Sequence, residues 1–173
     1  DGWMDVADAV GSNAPLEKKY EIMKDSRVGS FAVIAVIFLI VWKAGFLYEL
    51  LTSADQQLVI LGLLFIPMIA RFQALLQLKL FPVIQNKGLA HEWRKYLSWK
   101  EIIFAFFGIA VMIVIYNPFI FLALLQILFS VLYGKWAIKH FNGINGDLVG
   151  TSIEGAELWN IAILYIFISF VMA

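Results

Sequence analysis

The sequence predicts an all-α fold, a polytopic integral membrane helix bundle, and three observations carry that expectation. Hydrophobic residues make up 62% of the 173 residues and charged residues 15%, against about 45–50% and about 25% in soluble domains. Mean hydropathy is +0.84. The apolar residues run in long stretches, several of them near the ~20 residues that a helix needs to cross a bilayer, and the polar motifs fall between them.

The candidate spans are Ser30 to Leu51, Leu58 to Leu80, Ile102 to Tyr116, Pro118 to Gly134 and Leu158 to Ala173. About five transmembrane helices are therefore expected, with short cytoplasmic helices carrying the acidic motifs. The third, fourth and fifth are short, and Asn117-Pro118 reads as a tight turn. Basic residues alternate across these spans. Lys18, Lys19, Lys24 and Arg27 precede the first. Lys79, Lys87, Arg94, Lys95 and Lys100 surround the second connection, and Lys135 and Lys139 lie before the last span. The connections at Thr52 to Gln57 and at Asn117 carry neither Lys nor Arg. The excess of Lys and Arg in cytoplasmic loops places the three basic segments, and all the motifs below, on the cytoplasmic side of the inner membrane. A single transmembrane catalytic domain is expected over 1–173. Within it, 1–29 is a cytoplasmic motif segment, 30–141 holds spans and loops, 142–157 is a glycine- and acid-rich motif, and 158–173 is the last span.

Composition also excludes. There is no cysteine, so disulfides and thiolate metal sites are ruled out. The formal net charge is zero, which argues against a nucleic acid held by bulk electrostatics. The sequence opens without methionine inside a motif and shows no signal peptide, so the chain is expected to continue upstream.

Three polar constellations carry the chemistry. Asp1, Asp5 and Asp8 follow an i, i+4, i+7 spacing, which on a helix puts three carboxylates within about 60° of each other. Such a stripe suits a hard divalent cation, and a solvated acidic face accounts for it equally. Glu21 to Gly29 alternates charges just before a span: Lys24 and Arg27 can hold phosphate oxygens, and Asp25 can ligate a metal or orient Arg27. The plain alternative is an interfacial anchor that snorkels its basic residues. Asn142 to Glu157 combines glycines with Asp147, Thr151 and Glu154 at the same i, i+4, i+7 spacing, and Glu157 extends that face. Two acidic stripes at one membrane face can share metals; acids in the first turns of a helix are also favoured by its dipole. Inside the spans, Arg71 lies one turn after Pro67, where a charge must face protein or water. It is expected in a polar cavity, against an anionic ligand or a bundle carboxylate, and Lys43 is expected in a structural ion pair. His91 and His140 lack a ligand spacing. The tryptophans, Trp93 among them, read as interfacial belts or packing rather than stacking platforms.

Taken together and in this order, Asp1 to Ala9, Glu21 to Gly29 and Gly146 to Glu157 resemble the motifs of the cobalamin synthase family (CobS, adenosylcobinamide-GDP ribazoletransferase), in a chain that lacks the N-terminal transmembrane portion usual there. The stretch Glu-Ile-Met-Lys-Asp-Ser-Arg-Val-Gly is long enough to be specific. Trp3, Met4, Asn142 and Asn145 depart from the residues common at those positions, whereas the acids are kept. The resemblance implies a membrane-bound phosphotransferase of late cobalamin biosynthesis. It would join adenosylcobinamide-GDP and α-ribazole, or its 5′-phosphate, with release of GMP, the 5′-hydroxyl of α-ribazole attacking phosphorus. It implies Mg²⁺ on Asp1, Asp5, Asp8 and Asp147. Lys24, Arg27, Arg71, Asn145 and Glu157 would bind substrate, and Asp25, Asp147 or Glu154 would serve as general base. The implied partners are the two substrates, membrane lipid and, as an option, a second copy in a homo-oligomer. Two rivals are a CDP-alcohol phosphotransferase-like enzyme, whose Asp-Gly signature is followed differently, and a divalent-cation transporter, which calls for acids deep in the spans and an internal repeat.

Overall fold

A computed structural model describes residues 1–53, 55–84 and 88–170. Lys87 and the last three residues of the expected final span, Val171 to Ala173, lie outside the described residues. Among the described residues eight helices follow one another: α1 (Gly2–Gly11), α2 (Leu16–Ile22), α3 (Ser30–Leu51), α4 (Gln56–Leu80), α5 (Leu89–Tyr96), α6 (Trp99–Ile115), α7 (Phe119–Phe141) and α8 (Gly146–Phe170). Four of them, α3, α4, α7 and α8, are long and apolar enough to cross a membrane. The bent pair α5 and α6, meeting at 89°, makes a fifth. The protein is thus a polytopic all-α membrane protein.

Two boundaries differ from the sequence expectation. The fourth span is not short, because α7 runs on to Phe141 and ends where Asn142 takes a left-handed φ of 56°. The motif at 142–157 and the last span are not separate, because α8 begins at Gly146 and continues unbroken to Phe170. Asn145 starts that helix: its Oδ1 accepts from the Leu148 amide at 2.9 Å, satisfying one of the orphan donors of a first turn.

The central helix is α4. Half of its apolar stretch is buried, against 11% for α3, and it packs on α8, α7 and α6. Two apolar clusters fill the bundle. One, around Phe65, Ile66, Phe119 and Leu164, lies toward the end away from the motifs. The other, around Val6, Leu78, Phe141, Ile144 and Leu148, lies beneath α1 and α2. A buried polar band crosses the bundle. Gln73 donates to the Ser152 hydroxyl at 2.9 Å and accepts from Gln77 at 2.8 Å and from Ser130 at 3.1 Å, and Asn160 donates to Gln126. In lipid such hydrogen bonds hold helices together where no hydrophobic drive exists.

At the motif end, the link after α4 pairs with the turn before α8. The Ile84 amide donates to Ile144 O at 3.0 Å and the Ile144 amide to Pro82 O at 2.8 Å. Gly143 permits this approach: its φ is 154°, and a Cβ there would lie 2.4 Å from Pro82 O. Tyr20 of α2 donates to Phe141 O at 2.6 Å, closing α2 over the end of α7. The expected outcome of Gln73→Ala is a loss of about 1 kcal/mol, read by thermal unfolding in detergent, because Ser152, Gln77 and Ser130 all lose their shared partner.

Candidate functional site

Helix α1 packs against α3 and α8 at the motif end of the bundle. Val6 and Ala9 are buried, and Asp1, Asp5 and Asp8, roughly a quarter turn round the helix from them, line a cleft. Gly2 makes the close approach to α8 possible. A Cβ at that position would sit 2.6 Å from Asp147 O, and the Thr151 hydroxyl lies 2.9 Å from Gly2 O and 2.8 Å from Asp147 O. At the other end of α1, Asp8 accepts from the amides of Gly29 at 2.7 Å and Ala32 at 2.8 Å. It therefore satisfies orphan donors at the start of α3 from outside that helix. Trp3 Nε1 donates to Ala35 O at 3.1 Å.

Asp1, Asp5, Asp8 and Asp147 line one cleft of about 390 Å³. Lys24, Asp25 and Arg27 form its other wall. Burial, then the carboxylate of Asp147, and less strongly that of Asp8, push the Asp5 carboxyl above its ordinary range. This is the signature of acids gathered with too little positive charge between them. Asp25 behaves oppositely. Arg27 grips it with Nε at 3.0 Å and Nη2 at 2.6 Å and adds its backbone amide at 3.0 Å, holding the carboxyl at about 2. Asp25 thus orients Arg27 and is a weak base. Asn145, read from the sequence as a substrate contact, donates to Asp147 Oδ2 at 3.0 Å and so fixes that carboxylate. It also lines a neighbouring cleft of about 220 Å³ with Lys24 and Asp147.

Three expected site residues lie elsewhere. Glu154, Glu157 and Arg71 form a separate charge cluster inside the bundle. Lys43 of α3 donates to Glu154 at 2.6 Å and to Glu157 at 2.9 Å, and Arg71 of α4 donates to Glu157 at 2.7 Å. Glu157 is ten residues beyond Asp147 on α8, about 15 Å at the helical rise. Arg71 therefore meets a bundle carboxylate, and Lys43 sits in an ion pair. The Lys43 side chain is only 19% exposed and that of Arg71 is 60% exposed, and a charge carried on a membrane span calls for such a partner in either case. Gly2 and Thr151 escaped the sequence reading as contact residues. Thr151 stood on the acidic stripe, but nothing in the sequence says which backbone it meets.

The donor set fits a hard divalent cation. All four carboxylates carry oxygen donors and line one cleft. Among the described residues no three acids or histidines are close enough to hold an ion by themselves. A cation held by one or two carboxylates and completed by phosphate oxygens is the usual pattern for Mg²⁺.

A polytopic helical membrane protein with an acidic and basic cleft at one membrane face is the class that fold and site define. Within that class, residues 1–165 match the CobS family, described as cobalamin-5-phosphate synthase, and the chain belongs to it. Among curated relatives, an adenosylcobinamide-GDP ribazoletransferase of Halalkalibacterium halodurans is 34% identical over 174 residues, covering 96% of this chain and 66% of that protein. One of Brevibacillus brevis is 35% identical, covering 91% and 63%, and one of Geobacillus thermodenitrificans is 32% identical, covering 93% and 64%. The chain thus spans a little under two thirds of the length of these relatives. No solved structure matches it.

Two outcomes are expected. A folded carboxyl titrating above 3.8 destabilises the fold while it is ionised. The penalty is full above the raised value and disappears as pH falls toward 3.8. Asp5→Asn should therefore raise the melting temperature at pH 7, and the advantage should vanish at acidic pH. Glu157→Ala removes the partner of Arg71 and one of the two partners of Lys43 and should lower the melting temperature, whereas Lys18→Ala, at an exposed pair, should change nothing measurable.

Proposed function

We propose that the protein is the catalytic part of a Mg²⁺-dependent membrane phosphotransferase, which transfers the corrinoid phosphate of adenosylcobinamide-GDP to α-ribazole or its 5′-phosphate. The observation that carries this reading is the convergence of Asp1, Asp5, Asp8 and Asp147 on one cleft with Lys24 and Arg27. Phosphoryl transfer asks a protein mainly to neutralise charge and align reactants, and this cleft offers both signs of charge within reach of each other. The placement of the basic segments supports a cytoplasmic membrane location with the cleft facing the cytoplasm.

Lys24 and Arg27 hold the diphosphate oxygens. Arg27 is prepared for that task by Asp25, which fixes its planar fork while the guanidinium stays exposed. A ribose hydroxyl of the acceptor attacks the corrinoid-side phosphorus, the bridging P–O bond breaks, and GMP leaves with the electron pair. A 5′-phosphate carried into the product leaves the 5′ oxygen unavailable, so with that acceptor the attacking hydroxyl is another one on the ribose, not the 5′-hydroxyl. Asp147 takes its proton. Of the three carboxylates open to that role, Asp25 is committed to Arg27 and Glu154 to Lys43, whereas Asp147 faces the cleft and is steadied by Asn145. Of the α1 aspartates, Asp5 and Asp1 would hold Mg²⁺ together with phosphate oxygens, and the ion would offset the charge on the transferring phosphate, while Asp8 is engaged with the Gly29 and Ala32 amides.

Purified full-length protein given adenosylcobinamide-GDP, α-ribazole and Mg²⁺ should release GMP, and Asp5→Ala or Asp147→Ala should lower the rate by about 100-fold or more. Undiminished GMP release by both variants would sink the proposal. Mg²⁺ should also raise the melting temperature at pH 7, and less so as pH falls into the carboxylate range, because the Asp5 proton competes with the cation.

A further inference from the structure

A second cleft, of about 270 Å³, opens beside the acidic one and shares Asp1 and Asp147 with it. Its character is different. Leu78, Leu89, Ala90, Trp93, Val149 and Ile153 make its walls. Gly146 and Gly150 stand on the α8 side. A Cβ at Gly150 would meet nothing within 4 Å, and one at Gly146 would barely touch Leu89. The α8 face is therefore a bare strip of backbone opposite an indole ring, with apolar flanks and two carboxylates at one end.

Trp93 is held there by its helix. Arg94 donates to Phe81 O at 2.7 Å, Lys79 donates to Leu97 O at 2.8 Å, and Ala90 is buried against the bundle. These contacts tie α5 to the end of α4 at both of its ends. Trp93 is nonetheless 58% exposed, so its ring is available on the cleft side.

We infer that this apolar slot binds the planar aromatic base of the acceptor nucleoside, stacked on Trp93, with the ribose directed to Asp147. The inference rests on the phosphotransferase reading and deepens it. A slot of this kind rewards a flat apolar ring, since aromatic side chains stack on any base face. It offers little to a base rich in amide edges, because the side chains along its walls carry few hydrogen-bonding groups away from the two carboxylates. The charged cleft next to it, with Lys24 and Arg27, suits the more polar donor, and Asp147 lines both.

The test uses full-length protein and separates the two substrates. Trp93→Ala should raise KM for α-ribazole about tenfold, within the range that base stacking covers, with KM for adenosylcobinamide-GDP unchanged. Trp93→Phe should restore most of the loss. Gly150→Leu, which fills the slot from the opposite side, should reproduce the effect without touching the ring. Unchanged KM values in Trp93→Ala and Gly150→Leu, or a rise confined to the nucleotide donor, would overturn the assignment. A merely anchoring tryptophan would lower yield and affect both substrates alike, which also counts against it. Equilibrium binding of α-ribazole in EDTA, followed by tryptophan fluorescence, keeps this test apart from the reaction. Quenching that is lost in Trp93→Phe supports the slot even in a protein that releases no GMP. Turnover by wild type with normal α-ribazole binding in Trp93→Ala removes the slot and leaves the phosphotransferase reading standing.

Discussion

The geometry of the acidic cleft depends on how one ten-residue helix is pinned. Helix α1 carries three of the four aspartates, and main-chain contacts at both ends hold it. At its start, Gly2 lets the backbone press against Asp147 and Thr151 of α8. At its end, Asp8 takes the first free amides of α3. A helix this short is marginal alone, so its position is set by these partners. Because it touches two spans at once, it also sets the spacing between the start of α3 and the start of α8. Asp8 therefore has a structural duty that limits what else its oxygens can do, and Asp5 and Asp147 are the carboxylates most open to the cleft's contents.

The charges divide into two groups by depth. At the membrane face, Asp1, Asp5, Asp8 and Asp147 are crowded and short of cations, and Asp5 responds by holding its proton more tightly. Inside the bundle, Lys43, Arg71, Glu154 and Glu157 balance one another in a four-charge cluster that ties α3, α4 and α8 together. The first arrangement stores unmet electrostatic demand, which a cation can relieve; the second has none left over. A transport pathway would need open acids at depth, and here the deep acids are engaged. Family membership and the neutralised interior point the same way.

Much of the fold was legible in the residues. The span Ser30–Leu51 matches its helix, and the second and third lie within a few residues of α4 and α6, because apolar runs of that length have little alternative in lipid. Asp1, Asp5 and Asp8 could be put on one face from spacing alone. The glycine-rich stretch before α8 was harder. Its glycines suggested a loop, but a helix end near Asn142 and a cap at Asn145 shorten the loop to a turn, and the acids after it ride on a transmembrane helix. That displaced Glu154 and Glu157 from the cleft, since each helical residue after Asp147 carries the chain about 1.5 Å deeper.

What the sequence by itself determined is the membrane class, the rough bounds of the apolar spans, the family, and the chemical character of the acidic and basic motifs. Those depend on composition and periodicity, which are local properties. What only the tertiary structure decided is which of those charges face one another. Asp147 meets the α1 aspartates, and Glu157 joins Lys43 and Arg71, because helix packing and the short turn at Asn142 and Gly143 set depth and rotation. Pairing between residues more than a hundred positions apart, such as Lys43 with Glu154, depends on that packing and leaves no mark in the local pattern.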